Sequence, residues 1–251
     1  PFIGDVELLA YNKRMVEEAG VTLPTTWAEL AEVGKELTLD TDGDGKIDQY
    51  GFGLMGGRGG QSAGTFTNIF YSLGGTYLDD ENVPQFDTPE ALETMELIAN
   101  ELTEISPEDS STWDFGENVN AFIQGSTAMA LFWTGGASAT VDPEQSNVVD
   151  EVEFAAFPAN SSLLGGWSLA INSYSKNIDA AYEFLAWFAS EEIQKKYAEL
   201  GGAPVAISAL TDPELIEKYP WFPMMKEALE VAKAFPRIPQ SEKLLGVMSE
   251  E

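Results

Sequence analysis

Neither cysteine nor histidine occurs anywhere in the 251 residues. Their absence removes thiolate nucleophiles, disulfides, zinc sites of the usual kind and every Ser-His or Cys-His catalytic arrangement. An enzyme built on this chain would run on carboxylates, Lys or Tyr. A cysteine-free sequence also fits an exported protein that folds without disulfides. Basic residues are scarce, 13 against 42 acidic ones, for a formal charge of −29. Binding phosphate takes clustered Lys and Arg, so the balance disfavours nucleic-acid and anionic-lipid partners. Two readings of the acidity stay open, a solvated surface and adaptation to a salt-rich habitat, the second because Lys is sparse even on helix faces. There is no apolar run of roughly eighteen residues, the length a spanning helix needs. Nor does a basic-then-apolar leader open the chain, since Pro1 leads straight into a strand-like stretch. Either a leader is removed or the chain begins inside a longer protein.

What is present reads as alternating strands and helices, an α/β pattern, and 44% hydrophobic residues suffice for a substantial core. Strands are expected at 6–11, 50–54, 128–133, 151–157 and 167–172. Thr26-Trp27-Ala28-Glu29 is a capping box that opens a helix to Leu37. Thr88-Pro89 starts another, running to Glu104 with Leu92, Met95, Leu97 and Ile98 inward. Further helices are expected from Asn118 to Ile123, after a cap at Asn177 with Ala181, Phe184, Leu185 and Phe188 on one face, and from Glu191 to Leu200. A capping box at Thr211 and Glu214 and a last clear helix from Phe222 to Ala234 complete the pattern.

Several segments together resemble the family 1 extracellular solute-binding proteins, the group that includes the maltose-binding protein. They are Asp5 to Lys13 with its Tyr-Asn-Lys ending, Glu18-Ala19-Gly20, Pro24 to Leu30, Gly74 to Leu78, Ala121 to Met129, Gly165 to Ile171, Glu183-Phe184-Leu185, Gly201 to Pro204 and Ile238-Pro239. Their order and spacing cover nearly the whole chain. The resemblance implies a two-lobed, type II periplasmic-binding-protein-like fold. Family members place roughly a hundred residues before the Tyr-Asn-Lys strand, so much of the N-terminal lobe would be missing from this chain. Residues 7–152 and 203–251 would then form the C-terminal lobe. Residues 1–6 and 153–202 would be hinge crossings and a remnant of the other lobe, exposing apolar side chains such as Phe184 and Phe188 or packing them on the missing part.

The resemblance further implies a periplasmic or extracellular monomer, lipid-anchored in some hosts, that captures a sugar between its lobes and hands it to the membrane subunits of an ABC transporter. Sugars present apolar C–H faces and a rim of hydroxyls, so a site needs aromatic platforms with amides, hydroxyls and carboxylates on loops. By position, the glycine-rich loop 55–68 would line the cleft, with Arg58, Gln61, Thr65, Phe66 and Asn68 as contacts. Trp133 and Gly135 fall at a strand end where relatives stack a ligand, and Gly165, Gly166, Trp167 and Gly202 at lobe crossings. Trp113, beside Phe115, is a further candidate. Trp27 and Trp187 read as core and Trp221 as a surface anchor. Arg58 could clamp a ligand's carboxylate or hydroxyl pair, or form a surface ion pair, the reading favoured for Arg237.

The sharpest local motif is Asp40-Thr41-Asp42-Gly43-Asp44-Gly45-Lys46-Ile47-Asp48. It offers a structural Ca²⁺ the carboxylates of Asp40, Asp42, Asp44 and Asp48 and the carbonyl of Lys46. Gly51 replaces the usual bidentate acid, and a strand follows where an EF-hand has a helix. A solvated acidic hairpin is the competing reading. Two other functions remain open, a carboxylate-dependent glycosidase and a calcium-dependent extracellular scaffold module.

Overall fold

The computed structural model describes residues 2–156 and 161–249. Its centre is a four-stranded mixed sheet in the order β2-β3-β1-β4, built from β1 (Glu7–Asn12), β2 (Tyr50–Gly53), β3 (Thr127–Trp133) and β4 (Val152–Ala155). β1 runs antiparallel to both β3 and β4, while β2 is parallel to β3. Every residue of β1 is buried, as a central strand with both faces covered must be. Side-chain alternation divides the strand's apolar residues. Val6, Leu8 and Ala10 enter one core with Phe132, Trp221 and Phe222. Leu9 and Tyr11 enter another with Trp27, Phe52 and Ile105.

Helices form the outer layers. α1 (Lys13–Ala19), α2 (Trp27–Glu36) and α3 (Gly60–Ser72) are followed by α4 (Pro89–Glu96), which runs into a π-helix at Leu97–Leu102. A 3₁₀ turn at Glu108–Thr112 precedes α5 (Phe115–Ile123), and another, Thr134–Val141, follows β3. The rest is α6 (Ile178–Phe188), α7 (Glu191–Glu199), α8 (Ile207–Leu210), α9 (Pro213–Lys218), α10 (Phe222–Val231) and α11 (Ser241–Met248). The capping logic holds at α2, where Thr26 accepts from the Glu29 amide at 3.1 Å while Glu29 reaches back to Thr25.

Several expectations are corrected. Residues 60–68 of the glycine-rich stretch are helical and not a loop, the helix running on to Ser72, because Ile69 and Phe70 provide an apolar stripe that buries. Leu92 and Met95 do not point inward; they are 61% and 50% exposed, and Ala91 and Thr94 take the inner positions. No strand forms at 168–172, since Trp167 meets a partner strand at one bridge, with Ile3, and an extended segment without a ladder leaves its backbone groups to solvent. Asn177 precedes α6 without a side-chain cap bond. At α9 the cap is Asp212, not Thr211, because Pro213 occupies the first helical position and fixes the start one residue later. α10 stops at Val231, and α11 follows it. Phe157, the expected end of β4, lies outside the described residues. Trp221 is core, 1% exposed, and Trp187 is not, at 53%.

Residues 161–167 run beside residues 3–7. Val6 bridges Leu164, Gly165 donates to the Asp5 carbonyl, and the Gly4 amide donates to Ala203. Three passages of chain therefore meet at the start of β1. Beyond them α6 has no buried residue; Tyr182, Phe184 and Trp187 stand open to solvent, and Phe188 packs on Phe2 with ring centroids 4.7 Å apart.

Candidate functional site

At this meeting point β3 ends in Trp133, whose indole Nε1–H donates to Gln61 Oε1 at 2.9 Å. Gln61 lies in the first turn of α3. The Gly165 backbone rests on the indole ring, where an added Cβ would lie 2.3 Å from Trp133 Cζ3, so this close approach needs glycine. The chain then turns, and Asp5 Oδ1 accepts from Thr134 Oγ1 at 3.0 Å and from the Gly135 amide at 2.9 Å. Among the described residues Asp5 Oδ2 takes no hydrogen bond. Burial raises the Asp5 carboxyl above its ordinary value, and the bonds from Gly135 and Thr134 oppose that rise. The cluster thus gathers an indole, an amide and a carboxylate at one end of the sheet, groups of the kind a hydroxyl-rich ligand needs.

Trp133, Gln61, Gly135 and Gly165 were expected from sequence, and the fold brings them together. Asp5 was not, although an acid just before a fully buried strand was its signal. The other expected residues go elsewhere. Arg58, Thr65 and Phe66 line a separate groove of about 1040 Å³ with Phe86, Leu92 and Met95. Asn68 and Trp113 are buried, 0% and 8% exposed, and Trp113 borders a different groove with Asp48, Tyr50 and Glu117. Gly166 sits by the Ile3 carbonyl, and Gly202 lies against the Tyr197 ring. Trp167 is 64% exposed beyond the crossing.

In the acidic loop, oxygens of Asp40, Asp42 and Asp48 come within 4.8 Å of one another. Asp44 stands outside that group and accepts from the Lys46 amide at 2.8 Å. Asp40 accepts from the Gly43, Asp44 and Gly45 amides, and Asp48 from Thr41, which lowers the Asp48 pKa. Positive φ at Gly43 (79°) and Gly45 (90°) lets the loop turn tightly enough to present those amides.

The model of the bacterial extracellular solute-binding protein family matches residues 1–195. A probable amino-acid ABC transporter periplasmic-binding protein of Sinorhizobium fredii is 34% identical over 97% of this chain and 56% of its own length. The chain belongs to the bacterial extracellular solute-binding protein family. The mannitol-binding protein of Pseudomonas aeruginosa is 28% identical over 80% of the chain and 47% of its own length. Among solved structures, an ABC transporter solute-binding protein of Agrobacterium radiobacter in complex with ribitol superposes with a TM-score of 0.89 at 29% identity, over 99% of this chain and 64% of that one. The chain therefore spans about half to two thirds of the length of these relatives. Among the described residues no helix is long and apolar enough to cross a membrane.

Proposed function

We propose that this chain is the greater part of an ABC importer's binding protein, one that captures a small polyol or sugar outside the cytoplasmic membrane and delivers it to the transporter's membrane subunits. The observation that carries this reading is the convergence of Trp133, Gln61 and Asp5 where three chain passages cross. The named ligands of two relatives, mannitol and ribitol, are neutral polyols. The relative named for amino acids points elsewhere. An amino acid's carboxylate calls for a cation or a set of amide donors, and the cluster contributes a carboxylate of its own. Arg58 lines the separate groove.

Residues 7–152 and 203–251 form one lobe in this reading. Residues 1–6 and 153–202 contribute to a second, against which the open face of α6 packs, and the solute is held as the lobes close. The protein works as a monomer. The family is one of binding proteins and not of enzymes. Asp5, Gln61 and Trp133 hold the ligand; none is asked to transfer a proton.

Tryptophan fluorescence of the protein as its host makes it, titrated with ribitol, mannitol, maltose and a panel of amino acids, tests the proposal. A saturable response to a polyol or sugar is expected. A response to amino acids alone would overturn the ligand class, and silence across the panel in a folded protein would overturn solute capture.

A further inference from the structure

Two residues along β1 from Asp5, Glu7 is 0% exposed and neither of its carboxyl oxygens has a hydrogen-bond partner among the described residues. Strand alternation puts it on the face that carries Leu9 and Tyr11, toward α3. It fits there because α3 presents a glycine. A Cβ on Gly64 would lie 4.0 Å from Glu7 Oε1 and 3.7 Å from Leu163 Cδ2. One turn along the helix, Asn68 is also 0% exposed, and neither its oxygen nor its nitrogen has a partner. Residues four apart share a helix face, so two unpartnered polar groups occupy the same seam between β1 and α3.

The seam lies directly beneath the ligand cluster. Glu7 pairs with Trp133 across the sheet, and Gln61 is on the same helix as Gly64 and Asn68. The Glu7 backbone is fastened to the neighbouring passage, its amide donating to Leu163 and its carbonyl accepting from Ser162 Oγ at 2.7 Å. Ionisable groups are carried by the elements around it, Glu153 on the neighbouring β4 among them. Asp5 is the nearest charge in effect and has the same sign. Tyr11 donates to Glu153. Tyr71 on α3 donates to the Ala234 carbonyl. Lys233, whose backbone bridges Leu163, holds its ammonium over the Tyr71 ring at 5.4 Å.

We propose that Glu7 is carried as the neutral acid beside Asn68 and acts as a proton-operated latch under the ligand cluster, holding Gln61 against Trp133 while protonated and loosening that wall when it ionises. An isolated buried carboxylate is far costlier than a buried carboxylic acid. On ionisation, water must enter between β1 and α3. Burial, with the Asp5 charge second, lifts the Glu7 pKa from 4.5 to about 8. The folded value is the higher one. The stability it confers is therefore complete below about pH 4.5 and is lost as pH rises through about 8. The effect on solute affinity rests on the solute-capture reading; the effects on stability and on the carboxyl itself do not.

The test compares the wild-type protein with Glu7→Gln from about pH 5 to about pH 9. Thermal unfolding should show a midpoint that falls with rising pH in the wild type relative to the variant, which is the more stable of the two at the alkaline end. The infrared C=O stretch of a protonated carboxyl should be present at pH 7, disappear above pH 8 and be missing from the variant. Where the protein binds a polyol, wild-type affinity should fall in alkali and variant affinity should not. Parallel pH profiles for the two proteins would overturn the proposal. If the variant does not fold, the infrared titration of the wild type decides alone, and a carboxyl band absent at pH 7 overturns it. Loss of the solute response with the unfolding and infrared differences intact would count against solute capture and leave the latch standing.

Discussion

The indole N–H of Trp133 meets the side-chain oxygen of Gln61 at 2.9 Å across 72 residues of sequence, and the bare backbone of Gly165 closes over the ring. One contact thus ties together the end of the central strand, the start of α3 and the passage into residues 165–202. Such an arrangement tolerates little added volume. Gly165→Ala places a methyl group inside the ring's contact distance and should destabilise the protein by about 1–3 kcal/mol, with a changed tryptophan emission. Gly116→Ala is the control, because a Cβ there meets nothing within 4 Å and alanine suits a helix better than glycine. Equal unfolding midpoints for the two variants would show that the ring does not depend on this approach.

Asp5→Asn keeps the shape of the side chain and an oxygen for Thr134 and Gly135, but removes the charge. If Oδ2 accepts a ligand hydroxyl, the lost charged hydrogen bond corresponds to about 1.5–3 kcal/mol, or roughly a 10- to 100-fold weaker Kd. The far-ultraviolet circular dichroism should not change. Unaltered affinity in a folded variant would remove Asp5 from the site.

The sequence disclosed most where one local rule acts alone. The capping box at Thr26 and the buried run at Ala128 to Trp133 led to elements that form. It misled where tertiary context decides. Trp221 has prolines on both sides and reads as surface, yet it fills the space between Phe154 and Phe222. Trp187 has helical amphipathic spacing and reads as core, yet it meets the rings of Phe184 and Phe188 and stays 53% exposed. The glycine-rich stretch 55–68 reads as a cleft-lining loop, whereas Gly56 and Gly57 are there for close packing, Gly57 against the Trp113 carbonyl. Asp5 and Glu7 were missed for a related reason. Their significance depends on Thr134, Gly64 and Asn68, which are distant in sequence and become neighbours through the fold.

The acidic loop makes a separable prediction. Asp40 and Asp48 already accept amide hydrogens from the loop itself, so a Ca²⁺ would have to share these oxygens with backbone donors. A structural Ca²⁺ on Asp40, Asp42 and Asp48, with Asp44 and the Lys46 carbonyl completing the set, would raise the unfolding midpoint with Ca²⁺ concentration. Asp42→Asn would blunt that rise. Calorimetry showing no heat up to millimolar Ca²⁺ would establish the loop as a hairpin closed by its own backbone, and would also remove the calcium-dependent scaffold reading.

The open face of α6 leads to the last prediction. Tyr182, Phe184 and Trp187 are 66%, 51% and 53% exposed, with Ile178 at 49% on the same short helix. Ile178 and Tyr182 stand on one side of the helix and Phe184 and Trp187 on the other, and exposed apolar surface of this extent marks a place where other protein packs. Residues 1–251 alone should therefore bind an apolar dye and self-associate. Phe184→Ser together with Trp187→Ser should reduce both effects without lowering the unfolding midpoint, since these side chains bury little here. In the protein as its host makes it, the sign should reverse. If the second lobe covers this face, removing a buried Phe or Trp costs about 3–5 kcal/mol, and the same pair of substitutions should lower the midpoint and weaken solute binding. A monomeric, dye-free 1–251 chain would show that the face needs no cover, and an unaffected host form would show that the second lobe does not supply it.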